Sequence, residues 1–189
     1  VELTKAGQIV YEQARKIISI YDETSDAING LKNVVSGTLK IGASFTIGEY
    51  VMPKILAEFA SIYPQIEIEL NISNTDTIND GVKANKFDIG LIEGSVQYDD
   101  LESEPFLDDE MVLIVSPDNP LAKKQIIDPS ELNNQTWILR ESGSGTRAYS
   151  DELINRWELT SKRNYVFSSS QAVKEAVSAG LGIAVLSHL

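Results

Sequence analysis

Thr38-Leu39-Lys40-Ile41-Gly42-Ala43-Ser44, Ile66-Glu67-Ile68-Glu69-Leu70-Asn71-Ile72-Ser73 and Phe87-Asp88-Ile89-Gly90-Leu91-Ile92 are the segments of this 189-residue chain whose reading decides its fold. The second alternates apolar and polar residues, the period of a strand with one face buried and one wet. The first runs from a strand into a loop, and the third is a short apolar run of the kind buried inside a sheet. Between the first two, Val51, Ile55, Phe59 and Ile62 recur at helical spacing and predict a helix over 49–61 that stops at Tyr63-Pro64. Asp76 is placed to cap a second helix carrying Ile78 and Val82 before a turn at Asn85. Strand, helix, strand, helix, strand at this pace predicts a parallel sheet with right-handed crossovers, one compact α/β lobe.

Outward to the C-terminal side, a longer apolar strand over 111–115 ends in Ser116-Pro117-Asp118-Asn119-Pro120, a turn-rich stretch suited to a hinge. The pattern then restarts, with strands predicted over 136–139, 165–167 and 182–186 and helices over 149–157 and 172–179. A second α/β lobe therefore begins after the hinge, and the chain ends inside it. Outward to the other side, Val10, Ala14, Ile17, Tyr21, Thr24, Ile28, Leu31 and Val35 recur at alternating spacings of four and three. That rhythm is the seam of a helix lying against another helix, here a short and imperfect coiled coil interrupted by Thr24 and Asn29-Gly30. The competing reading is a helix that folds back on its own domain. At about 1.5 Å per residue the helix is on the order of 50 Å long, a spacer joining two units. The expected division is a dimerisation helix over 1–36, a first lobe over 37–116 and a second lobe over 117–189.

Composition narrows the function. With 42% apolar residues and a mean hydropathy of -0.11 the chain can bury one good core or two small ones. It has no cysteine, so no disulfide framework or thiolate nucleophile can be built, in keeping with a reducing compartment. His188 is the single histidine, which removes most routes to a His-ligated metal and leaves any serine or threonine nucleophile without an imidazole base. No catalytic residue, metal or cofactor is expected. No apolar run reaches the roughly 18 residues needed to span a bilayer, and no secretion leader opens the chain, so it reads as cytoplasmic. Against 16 basic residues stand 28 acidic ones, a net charge of -12. So acidic a surface is repelled by a phosphate backbone, and nucleic acid is expected to be touched only through a part not included here, or at most by the extreme N-terminus.

Three helix starts share one character: Ser44-Phe45-Thr46-Ile47-Gly48, Ser142-Gly143-Ser144-Gly145-Thr146 and Ser168-Ser169-Ser170-Gln171. Each follows a strand and so lies at the carboxyl edge of a sheet, where open α/β folds bind ligands. Unpaired N–H groups and the helix dipole favour an anion by roughly 0.3–1 kcal/mol each, and hydroxyls add donors without bulk. Ser44, Thr46, Ser142, Gly143, Ser144, Gly145, Thr146, Ser168, Ser169 and Ser170 are thus candidate ligands of a small anion. The plainer reading of each is a cap or turn residue chosen for local reasons. Ser-Gly-Ser-Gly-Thr is neither a Walker loop nor the dinucleotide fingerprint. Glu93, at the end of the third strand, is either the partner of a ligand ammonium or an ordinary solvated carboxylate. Arg140 either meets a ligand anion or balances Glu141. Asp99-Asp100 and Asp108-Asp109-Glu110 lack the spacing of a metal site and read as solvated loops.

With these residues in view, the chain resembles a LysR-type transcriptional regulator without its N-terminal winged helix. Leu3-Thr4-Lys5-Ala6-Gly7 is similar to that family's junction between wing and linker helix. Met52-Pro53 with Phe59 and Tyr63-Pro64, Phe87-Asp88-Ile89-Gly90, the stretch 112–117 followed by Asn119-Pro120-Leu121-Ala122, and Ala179-Gly180-Leu181-Gly182-Ile183-Ala184 follow in the family's order. The resemblance implies a linker helix that dimerises, here through Val10, Ala14, Ile17, Tyr21, Ile28 and Leu31, leaving a tetramer open. It also implies two Rossmann-like lobes resembling a type II periplasmic binding protein, with a small inducer held between them by the three segments above. The run 140–147 looks most like the branch that controls carbon fixation and sulfur or cysteine metabolism, whose inducers are often anionic. Two departures accompany the likeness: the DNA-reading domain is absent, and the chain stops where the family crosses back to complete the first lobe.

Two other functions compete. An exported two-lobed solute-binding protein explains the lobes but not the heptad helix. An enzyme using Ser144 or Thr146 on a phosphorylated substrate meets the shortage of histidine and the missing cofactor motif.

Overall fold

The computed structural model describes residues 3–30 and 35–189. Its first element, α1 (Lys5–Gly30), is one unbroken helix. The Thr4 hydroxyl accepts the Gly7 N–H at 3.1 Å and closes its first turn. Within it the Thr24 hydroxyl bonds back to the Ile20 carbonyl at 2.7 Å, which accommodates a hydroxyl residue inside a helix. Val10, Ile17, Tyr21 and Ile28 are between 57% and 73% exposed, and Ala14 is exposed too, so the seam is not covered by the lobes. Ile9, Ile18 and Ile20 are equally open, which makes the apolar surface wider than a single heptad stripe. Arg15 Nη2 reaches the first lobe, donating to the Asn85 carbonyl at 3.1 Å. Leu31 lies outside the described residues. Val35 is described outside any helix and so does not lie on a helical seam.

The first lobe is a parallel sheet of β1 (Gly37–Ser44), β2 (Ile66–Ser73) and β3 (Ile89–Leu91) in the order β2-β1-β3. β1 and β2 pair along their whole length, from Gly37 opposite Ile66 to Ser44 opposite Ser73. A π-helical turn over 47–51 leads into α2 (Met52–Ile62), and α3 (Thr75–Lys83) connects β2 to β3. The π turn uses an extra residue, and the stripe that meets the sheet passes through Met52 and Leu56 while Ile55 and Ile62 stay exposed. Asp76 is not the cap of α3. Asn74, whose extended backbone swings its side chain over the helix start, accepts the Thr77 N–H at 2.9 Å instead. The third strand is also shorter than its apolar run. Phe87 leaves it to fill the space beside Gly42 and Gly81, where an added Cβ would come within 2.6 and 2.2 Å of the ring. Asp88 exchanges backbone and side-chain bonds with Lys40 at 2.8 and 2.7 Å, fixing the register.

The rest of the chain forms β4 (Met111–Ile114), β5 (Gln135–Arg140), α4 (Gly145–Arg156), β6 (Ser161–Phe167), α5 (Ser170–Ser178) and β7 (Ala184–Ser187). β5 and β6 are parallel, and β4 and β7 antiparallel. A parallel bridge between Trp137 and Ile183 joins the two pairs into one mixed sheet. β4 precedes the division expected at Ser116, while its partner β7 lies far beyond it. β6 begins earlier than its apolar residues predict, since Lys162, Arg163 and Asn164 hide the strand period while Ser161, Arg163 and Asn164 pair along β5 across an irregularity at Lys162. α4 likewise begins a turn early, at the Ser-Gly-Thr segment itself. Alternate β5 residues feed opposite faces. Trp137 and Leu139 pack with Leu121, Leu159, Ile183 and Val185, and Ile138 packs with Val173, Val177 and Ala184. No helix among the described residues is long and apolar enough to cross a membrane.

Candidate functional site

The carboxyl ends of β1, β3 and β5 bring the polar segments of the two lobes face to face. β1 delivers Ser44, Phe45 and Thr46, and Ser44 and Thr46 are only 2% and 4% exposed. Glu93 follows β3 and lies beside both hydroxyls. From the second lobe β5 delivers Arg140, and the starts of α4 and α5 deliver Ser144, Gly145, Thr146 and Ser170, with Arg140, Ser144, Thr146 and Ser170 all buried. The approach is close. A Cβ on Gly145 would sit 2.4 Å from the Glu93 carbonyl oxygen, and one on Gly143 2.8 Å from Asp76 Oδ2, so larger residues at either position would force the lobes apart. Gly143 also has φ +85, a conformation that glycine adopts without steric cost. The Asp76 N–H donates to the Gly143 carbonyl at 3.1 Å.

Both arginines of the 140–147 run are engaged within the protein. Arg140 donates Nε and Nη2 to the two Glu141 oxygens at 2.8 and 2.9 Å and Nη1 to Ser170 Oγ at 2.6 Å. Its guanidinium carbon lies 4.6 Å from the centre of the Phe45 ring, so the pair couples the lobes by a cation–π contact. Arg147 donates Nε to the Asp151 carboxylate at 2.9 Å and Nη1 to the Arg140 carbonyl at 3.1 Å. Arg140 thus balances Glu141 and Arg147 balances Asp151. A second aromatic of the first lobe, Tyr50, meets Lys174 of α5 at 4.4 Å. Phe45 and Tyr50 carried no signal in the sequence, because a ring beside a strand end reads as core until its partner on a remote helix is known.

The candidates divide. Ser44, Thr46, Glu93, Gly145 and Ser170 converge on the contact between the lobes, with Ser144 and Thr146 buried at the start of α4. Ser144 occupies the cap position of α4 without making a side-chain cap bond, which leaves its hydroxyl uncommitted to the helix. Ser142 and Ser168 are exposed. Ser169 accepts the Ala172 N–H at 3.4 Å, an ordinary cap of α5. The Ser44 hydroxyl and Glu93 Oε1 are buried and neither finds a hydrogen-bond partner within the protein. Burial out of water raises the Glu93 pKa, which the Thr46 hydroxyl opposes, Asp109 reinforces, and Arg140 and the Ser44 hydroxyl oppose further.

Comparison with known proteins follows the same lines. The profile of the LysR substrate binding domain matches residues 32–189. The HTH-type transcriptional regulator CysL of Bacillus subtilis is 41% identical over 185 residues, covering 98% of this chain and 62% of that protein. The HTH-type transcriptional activator CmpR of Synechocystis is 36% identical, covering 98% of this chain and 60% of its own length. This chain therefore spans less than two thirds of both regulators. Among solved structures, the regulatory domain of Synechocystis PCC6803 CcmR in complex with 2-PG superposes with a TM-score of 0.77 at 35% identity, covering 81% of this chain and 73% of that one. HinK of Pseudomonas aeruginosa, a LysR family transcriptional regulator, shares the fold across 100% of this chain and 66% of its own, with a TM-score of 0.73 at 21% identity.

Proposed function

This chain belongs to the LysR substrate binding domain family, and from that membership we propose that it is the effector-sensing and dimerising part of a DNA-binding transcriptional regulator of the cytoplasm. The effector is a small anionic metabolite held between the lobes. One observation carries the reading: Ser44 and Thr46 of one lobe and Ser144, Thr146 and the α4 start of the other are buried at the same inter-lobe contact, where the Ser44 hydroxyl has no partner within the protein. An anion bound there completes hydrogen bonds that each lobe alone leaves open, so it favours one placement of the lobes over others. Through α1, that placement reaches DNA-binding heads located elsewhere in the regulator. The CcmR regulatory domain in complex with 2-PG supports a small-molecule effector for this fold. Relatives named as regulators favour this reading over a solute-binding protein or an enzyme.

Titration calorimetry with 2-PG and a panel of small acids tests the site. Thr46→Ala and Thr146→Ala should each weaken binding about tenfold, the loss of one hydrogen bond to a charged group, with the unfolding midpoint nearly unchanged. Wild-type affinity in both variants removes those hydroxyls from the pocket.

A further inference from the structure

A carboxylate is an unexpected wall for an anion site, and Glu93 occupies the middle of one. It lies just beyond β3, with its backbone carbonyl accepting the Thr75 hydroxyl at 3.1 Å and pressed against Gly145 of the other lobe. That anchorage fixes the residue at the inter-lobe contact and leaves its side chain beside Ser44 and Thr46. Oε1 is buried without a partner, and so is the neighbouring Ser44 hydroxyl, so the contact between the lobes holds two polar atoms whose hydrogen bonds are open. We propose that Glu93 serves the anion site as a neutral carboxylic acid whose O–H donates to the effector's anionic group, so that binding takes up one proton.

The surroundings are consistent with that state. From the 101–110 segment Asp109 faces Glu93 with a like charge, and from β5 Arg140 faces it with an opposite one. Arg140, however, is already clamped by both Glu141 oxygens and Ser170. The β1 loop offers only the Ser44 and Thr46 hydroxyls, and α3 only the Thr75 hydroxyl on the backbone carbonyl. Burial is the dominant influence and holds the carboxyl above its ordinary range. An arriving anion adds a second like charge and pushes it further the same way, while the protonated form gives a charge-assisted hydrogen bond. Glu93 then ceases to repel the ligand and joins Ser44 and Thr46 as a third donor.

The inference rests on the cleft being an anion site, and the experiment separates the two. Sulfate, whose charge stays constant as the pH rises through and above the ordinary carboxylate range, is titrated into the chain by calorimetry in two buffers of different ionisation enthalpy. Wild-type affinity should fall about tenfold per pH unit above the Glu93 midpoint, with one proton taken up. Glu93→Gln, which keeps a donor and cannot ionise, should bind at the acid-side affinity at every pH. Asp109→Asn should move the midpoint to lower pH and keep the slope. Sulfate binding with no proton uptake in the wild type, or with the same slope in Glu93→Gln, overturns the proton linkage and leaves the anion site standing. Absence of sulfate binding at acid pH overturns both. If Glu93→Gln does not fold, the proton count of the wild type in the two buffers decides alone.

Discussion

The second lobe closes its sheet on both faces, with Trp137, Leu139, Ile183 and Val185 buried on one side and Ile138, Val173 and Ala184 on the other. The first lobe buries Ile41, Ala43, Ile47 and Met52, then leaves an apolar groove of about 200 Å³ open between α2 and the sheet, lined by Leu39, Ile55, Phe59 and Ile89 among others. Both lobes were built from the same alternation of strand and helix, so local pattern does not by itself close a core. Closure in the second lobe comes from β4, a strand remote in sequence that pairs antiparallel with β7 and brings Met111 and Leu113 onto the Trp137 side.

Substitutions can break or sharpen that contrast. Trp137→Ala removes a side chain that is 0% exposed and should cost about 3–5 kcal/mol, read as a fall in the chemical-denaturation midpoint. Phe59→Ala, at the open groove of the first lobe, should cost less, about 2 kcal/mol, because its ring is only partly buried. Equal losses in the two variants would show the lobes to be equally closed. Smallest for either lobe should be the pair Ile17→Asp with Ile28→Asp, which changes exposed positions of α1 and should leave the unfolding midpoint of the lobes within about 0.5 kcal/mol. The same pair should halve a dimeric mass in light scattering, and an unchanged mass would assign the assembly to other surfaces.

The polar cleft and the apolar cores also differ in how far they could be read in advance. The strands over 38–44 and 66–73 declare themselves, because an alternating pattern needs only the neighbours along the chain to be interpreted. β6 is half hidden, because its first residues are polar and its backbone partner β5 lies elsewhere in the sequence. Hydroxyls and glycines following strands point to one sheet edge, and Ser44, Thr46, Gly145 and Ser170 do meet at the contact between the lobes. Ser168 and Ser169, with the same local signature, are an exposed turn residue and a cap. Nothing in a one-dimensional pattern separates a serine that caps its own helix from one that faces another lobe.

By itself the sequence determined the alternation of elements, the parallel first sheet, the amphipathic spacer helix and the sheet edge that carries the polar groups, since each follows from the period of apolar side chains or from backbone-specific residues. Only the tertiary structure decided that Arg140 is spent on Glu141, Ser170 and Phe45, that β4 belongs beside β7, and that half-buried Glu93 turns one oxygen inward without a partner. Those outcomes depend on which remote groups arrive within a few ångströms, and both desolvation and hydrogen bonding are set at that range rather than along the chain.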